Sequence, residues 1–118
     1  MDITIEERSI GRVTVLDLVG KLTIDQGAQR IKDKVNSLIA QGRTQIVLNL
    51  KEVPYIDSGG LGQLVASYGS VKKASGSMKL LNVNSRNHDL LSITRLVTIF
   101  DSFDSEAEAV QSFQALAQ

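Results

Sequence analysis

Apolar residues along the chain change their period several times, and each change marks an element. Ile3 and Ile5 alternate with polar neighbours, the spacing of a strand with one wet face. A turn follows at residues 9–12. Residues 13–19, Val-Thr-Val-Leu-Asp-Leu-Val, are apolar on nearly both faces, which predicts a strand inside the sheet. So short a connection makes the pair an antiparallel hairpin.

The period then shifts. Ala28, Ile31, Val35, Leu38 and Ile39 form the stripe of an amphipathic helix, with Thr23 or Asp25 as candidate caps and Gly42 as its end. Residues 45–50 read as a short buried strand. Leu61, Leu64, Val65, Tyr68 and Val71 make a second helical stripe that stops near Gly76. A strand is predicted at 78–83, a short helix at 85–93 and a last strand at 97–100. Ser105 and Glu108 form a capping box ahead of Val110, Phe113 and Leu116, a closing helix. The order β-β-α-β-α-β-α-β-α predicts one α/β domain over residues 1–118. Its central sheet is mostly parallel, with an antiparallel N-terminal edge strand and helices packed on it.

Composition narrows the function classes. A chain of 118 residues, 42% hydrophobic and 22% charged, can build a real core. Lys plus Arg equal Asp plus Glu at 13 each, and no basic run stands out, so nucleic acid is not an expected partner. The absence of Cys excludes disulfides and thiol catalysis and fits the cytoplasm. No apolar run reaches the ~18 residues of a membrane helix, and the acidic, alternating start is wrong for a signal peptide. No membrane insertion is expected.

Chemistry is concentrated in one turn, Val53-Pro54-Tyr55-Ile56-Asp57-Ser58-Gly59-Gly60-Leu61-Gly62. Three of the four positions 59–62 are Gly, each costing a helix about 1 kcal/mol against Ala. So weak a first turn implies a close approach to the backbone. Asp57 or Ser58 can cap the helix while the glycines permit tight packing. A P-loop fails for want of a Lys, and a dinucleotide turn fails because Val65 stands where the third Gly belongs. A serine hydrolase would need G-x-S-x-G, yet Ile56-Asp57 precedes Ser58, and His88 is the sole candidate base. No catalytic residue, metal or cofactor is expected. A further use of Ser58 is as a phosphate acceptor, its phosphate lying beside free N–H groups at the helix start. Such a mark adds about −1.5 to −2 charge to a surface without unfolding it. The residues alone leave cap and acceptor both open.

The stretch Ile56-Asp57-Ser58-Gly59-Gly60-Leu61-Gly62 resembles the D-S-[SG]-G-L-G signature of STAS domains, specifically of bacterial anti-sigma-factor antagonists. The likeness extends to Gly20-Lys21-Leu22, to the strand at 46–50, and to Leu90-Leu91 with Thr94 and Leu96. It implies a regulator that binds an anti-sigma factor, a serine kinase of histidine-kinase-like ATPase fold, and thereby frees a sigma factor. Phosphorylation of Ser58 would end that binding until a serine phosphatase restored it. Two positions depart from the family: Thr23 stands where many members carry Asp, and Thr94-Arg95-Leu96 replaces Thr-Gly-Leu.

The expected contact surface comprises Thr23, Asp25 and Gln26, the turn at Tyr55, Asp57, Ser58 and Gly59, and an exposed face of the second helix with Gln63 and Ser67. Two alternatives remain: a STAS regulatory subunit of a stress-signalling assembly or lipid transporter, and a serine hydrolase built on Ser58 and His88.

Overall fold

Strand Thr4–Ile10 (β1) turns back through Gly11 and Arg12 into Val13–Val19 (β2). The two pair antiparallel from Thr4↔Val19 to Ile10↔Val13. Gly11 supplies the positive φ, 59°, that so tight a hairpin turn demands. The computed structural model describes residues 2–116. It continues with α1 (Ala28–Ala40), β3 (Gln45–Glu52), α2 (Ser58–Lys73), β4 (Ser77–Leu81), α3 (Ser85–Ile93), β5 (Ser102–Phe103) and α4 (Glu106–Leu116). Strands β2 to β5 are parallel neighbours in sequence order, with β1 on the edge. The element order and mixed sheet expected from periodicity are both present.

Three parallel crossovers that step the same way across a sheet put their helices on one side, because the connections are right-handed. Period-two alternation supplies the matching apolar faces. Leu16, Leu18, Ile46, Leu48, Leu50, Met78 and Leu80 belong to the main core, which Ile31, Val35 and Leu38 of α1, Leu61, Leu64 and Val71 of α2, and Leu91 of α3 complete. The intervening positions Val13, Val15, Val47 and Leu81 pack with Ala109, Val110 and Phe113 of α4. Lys79 is buried in that thinner layer, where Nζ donates to Ser112 Oγ at 2.7 Å and lies 4.6 Å from the Phe113 ring centroid. Burial draws its pKa below that of an ordinary lysine.

Three local expectations need correction. Residues 97–100 are not the last strand: Leu96–Thr98 forms a 3-10 turn, and β5 lies at Ser102–Phe103. Arg95 takes the left-handed conformation, φ 64°, and redirects the chain after α3. Leu96 and Phe100 pack on the core there, with Phe100 buried edge-to-face on Tyr68 at 5.3 Å. Strand β4 ends at Leu81, short of residue 83, because Asn82 has φ 59°. Neither Thr23 nor Asp25 caps α1. Its N-cap is Gly27 at φ 90°, and that residue's amide is satisfied by Asp2 Oδ1 at 2.7 Å.

Candidate functional site

Since β2 and β3 are parallel neighbours, the loops leaving their carboxyl ends emerge side by side. They remain paired beyond the strands proper. Gly20 N donates to Glu52 O at 3.1 Å, Leu22 N to Tyr55 O at 3.0 Å, and Asp57 N to Leu22 O at 3.1 Å. The resulting Leu22↔Ile56 bridge extends the sheet to the threshold of α2. Asp57 then caps the helix in extended conformation, its Oδ1 accepting from Gly60 N at 2.7 Å. Ser58 follows as the first helical residue, and it is exposed.

The glycines have separate reasons. A Cβ on Gly60 would overlap the Leu22 carbonyl, and one on Gly59 would overlap the Ile24 side chain. These two therefore let the 20–27 loop lie directly on the first turn of α2. Gly62 is different: a Cβ there would meet nothing within 4 Å. The close approach implied by the sequence exists, and it is intramolecular at two of the three positions.

The loop itself is tied into a tight turn. Thr23 N donates to Gln26 O at 2.7 Å, while Gln26 N is received by Thr23 Oγ1 at 2.9 Å. Thr23 and Gln26 are thus half-buried turn residues, and Asp25 and Ile24 stand at the exposed tip. Ile24 is 68% exposed and sits against Gly59, beside Ser58.

Along α2, the contact face expected from sequence needs one correction. Ser67 is buried, not exposed, and accepts a hydrogen bond from Gln63 Nε2 at 2.9 Å. It falls on the same stripe as Gly60, Leu64 and Val71, at spacings of four, three and four residues. The outward face carries Ser58, Gly62, Ala66 and Gly69, with half-buried Gln63 at its margin.

On the other side of Ser58 lies α3, which sequence reasoning left out of the site. Asn84 caps α3, its Oδ1 accepting from Asn87 N at 2.8 Å, and buried Asn87 donates from Nδ2 to Val53 O at 2.9 Å. These two side chains fasten α3 to the end of β3. Between α3 and the turn runs an open groove of about 670 Å³, lined by Tyr55, Asp57, Ser58, Arg86, Leu90 and Ile93 among others. Ile93 is 81% exposed, and the Arg86 guanidinium lies over the Tyr55 ring at 4.7 Å. Two of the most exposed large apolar side chains, Ile24 and Ile93, therefore flank the serine. Nothing in the sequence singled out Arg86.

His88 is exposed on α3 and does not line this groove, so no pairing with Ser58 assembles there. Among the described residues, no group of three or more His, Asp or Glu could hold a metal, and no helix is long and apolar enough to cross a membrane.

Comparison with known proteins gives the site its setting. Residues 4–109 match the family model described as STAS domain. The chain is 33% identical over 101 residues to the anti-sigma-B factor antagonist of Bacillus subtilis, covering 86% of this chain and 91% of that protein. The crystal structure of a candidate anti-sigma factor antagonist from Thermotoga maritima superposes with a TM-score of 0.85 at 28% identity, covering 92% of each chain. The Bacillus cell fate determinant SpoIIAA in its phosphorylated form shares the fold, with a TM-score of 0.73 at 22% identity over 93% of this chain and 99% of that one. The chain belongs to the STAS domain family, in its anti-sigma-factor-antagonist group.

Proposed function

We propose that this protein is a cytoplasmic anti-sigma-factor antagonist switched at Ser58. In the unmodified state it binds an anti-sigma factor that is also a serine kinase, and so releases a sigma factor. In the transfer, Ser58 Oγ forms a bond to the terminal phosphorus of a nucleoside triphosphate as the bond to the departing diphosphate breaks. The hydroxyl proton passes to a base on the kinase. A serine phosphatase reverses the mark with water. The domain itself performs no catalysis in this scheme.

One observation carries the proposal: an exposed serine at the first position of a capped helix, flanked by the exposed side chains of Ile24 and Ile93. Support comes also from the names of its relatives, one of which is an anti-sigma-B factor antagonist, and from the phosphorylated form of a protein sharing its fold. The outward face of α2 fits the same role. Ser58, Gly62, Ala66 and Gly69 would let another backbone come close.

Magnitudes are consistent with a switch. Driving a complex from almost fully bound to almost fully free takes about 5.5 kcal/mol of differential affinity. Two unit charges ~4 Å apart interact by about 4 kcal/mol at an effective dielectric near 20. A phosphate dianion beside the Asp57 carboxylate, in an interface that excludes water, reaches the required size. In the free protein the phosphate stays solvated, and the helix N-terminus offsets about 0.3–1 kcal/mol of repulsion.

The test is titration calorimetry of the parent, Ser58→Ala and Ser58→Asp against the kinase encoded nearest to this protein, with thermal melts of each. Ser58→Ala should bind constitutively. Ser58→Asp should bind markedly more weakly at unchanged fold stability, though less weakly than the phosphorylated protein. Undiminished binding by both Ser58→Asp and the phosphorylated protein would reduce Ser58 to a helix-terminal residue. No binding by any form would favour a STAS subunit of another assembly.

A further inference from the structure

We infer that Arg86 is the receptor, within the same molecule, for a phosphate on Ser58. The inference rests on Ser58 being the modified residue, and it adds where the phosphate goes. Arg86 and Ser58 line one groove together with Tyr55. The guanidinium carbon lies 4.7 Å from the Tyr55 ring centroid, a contact that holds the cation at the groove and still allows its N–H groups to donate elsewhere. Among the described residues, Arg86 takes part in none of the ion pairs, as is also true of Arg12 and Arg95, whereas Arg8, Arg30 and Arg43 are each paired with carboxylates; of the unpaired arginines, Arg86 is the one that lines the groove with Ser58.

The charged and titratable groups around a phosphate at this position are few. Among the residues lining the groove, Tyr55 and Asp57 come from the turn before α2, and Arg86 and Asp89 from α3. Arg86 is the single cation in that set. Asp57 already spends Oδ1 on the Gly60 amide. Asp89 lies three residues along the same helix without reaching ion-pair distance of Arg86. A dianion with three acceptor oxygens outcompetes a lone carboxylate for a guanidinium fork. Its attraction is strengthened by the N-terminal end of α2, on which the phosphate would sit.

The backbone need not move for this capture. Asn84 and Asn87 fix α3 to the Val53 carbonyl, and Asp57 fixes the first turn of α2, so only the arginine side chain must swing. Phosphorylation thereby does two things at the surface. It adds negative charge, and it draws Arg86 across the groove mouth, closing the space that a partner side chain would enter.

The test installs phosphoserine at position 58 during translation, so that no kinase is required, and follows the phosphorus resonance by NMR through a pH titration. The phosphate's second pKa in the parent should lie below that of the Arg86→Ala protein, a proton affinity lower by roughly ten-fold, as an opposite charge within ~4–6 Å produces. Arg86→Lys should fall between the two, since an ammonium supplies charge without the fork. Because Arg86 is exposed, the unmodified Arg86→Ala protein should melt with the parent, and phosphorylation should raise the melting temperature of the parent relative to that variant. Coincident titrations of parent and Arg86→Ala would overturn the inference. Kinase binding is a separate arm: a phosphorylated protein that binds as tightly as the unmodified one, yet shows the Arg86-dependent pKa, would sink the switch and leave the receptor standing.

Discussion

Helices α1 and α2 begin side by side on the same surface, and they are begun by opposite means. The start of α2 is local: Asp57 caps it, and the accepting oxygen lies three residues from the amide it satisfies. The start of α1 is borrowed. Gly27 has no side chain, and no side-chain cap serves the first turn; Asp2, 25 residues earlier, instead accepts from the Gly27 amide through Oδ1 and from Arg30 Nε through Oδ2 at 2.9 Å. The local device leaves the Ser58 hydroxyl free and the turn self-sufficient. The remote device ties the helix to the residues just ahead of β1 and makes its start depend on a distant carboxylate. A surface meant to bear a reversible charge is better built on the first kind of start.

The largest effect should come from filling the inner side of α2. Gly60→Ala drives a Cβ into the Leu22 carbonyl, which is backbone held by its own hydrogen bonds. The variant should lose about 3 kcal/mol, the upper end of ordinary overpacking, read as a fall in the chemical-denaturation midpoint. A midpoint equal to the parent's would mean the loop does not truly bear on the helix.

Removing the local cap comes next. Asp57→Ala should cost about 1 kcal/mol, with Asp57→Asn retaining most of it because the amide oxygen also accepts. Equal losses in both would place the contribution of Asp57 somewhere other than the Gly60 amide. On the outer side the sign reverses. Gly62→Ala should stabilise the fold by roughly 0.5–1 kcal/mol, since the new methyl meets nothing within 4 Å. The same variant should weaken partner binding in calorimetry. A stabilised variant with full affinity would remove Gly62 from the contact face.

The smallest effect belongs to the borrowed start. The Asp2 carboxylate is held below the usual carboxylate range, first by the Ile3 amide, then by Arg30 and the Gly27 amide. A depressed folded-state pKa gives stability that is present above the unfolded value and lost as pH falls through the folded one. Asp2→Asn should therefore melt slightly below the parent at neutral pH, and the gap should narrow as the solution is acidified through and below the ordinary aspartate range. A gap that is constant with pH would show that the charge of Asp2 contributes nothing to α1.

The two starts also differ in how far they could be read from sequence. Asp57, Ser58 and the glycines announce a capped, tightly packed turn, because cap, acceptor and close approach all lie within six residues. Local patterning offers Thr23 or Asp25 as the cap of α1, since it cannot see that an uncapped Gly27 begins the helix with Asp2 supporting it across 25 residues. Ser67 was misplaced for another reason: its polarity suggested an outer face, while its phase with Leu64 and Val71 set it on the inner one, where Gln63 satisfies it. The run at 97–100 was apolar enough for a strand, yet a left-handed residue at 95 converts it into a packed turn, and no periodicity reports a single φ. The mostly parallel sheet with one antiparallel edge was legible from a short first connection followed by helical crossovers; the strand order β1-β2-β3-β4-β5 was not. The groove was not, because it exists only where two asparagines bring α3 to the end of β3.

The Leu22↔Ile56 bridge carries a consequence for recognition. Through it the sheet's ladder continues into both loops of the candidate surface, and the turn before Ser58 is already in its final geometry. A partner that docks here meets a surface with few backbone degrees of freedom left to lose. Segments that must order on binding give up about 1–2 kcal/mol per residue in backbone entropy, and a pre-formed platform gives up little of it. Affinity can then rest on a small patch and still be altered decisively by one group at its centre. A floppy loop of the same composition would absorb an added charge by moving away from it; this one has nowhere to go.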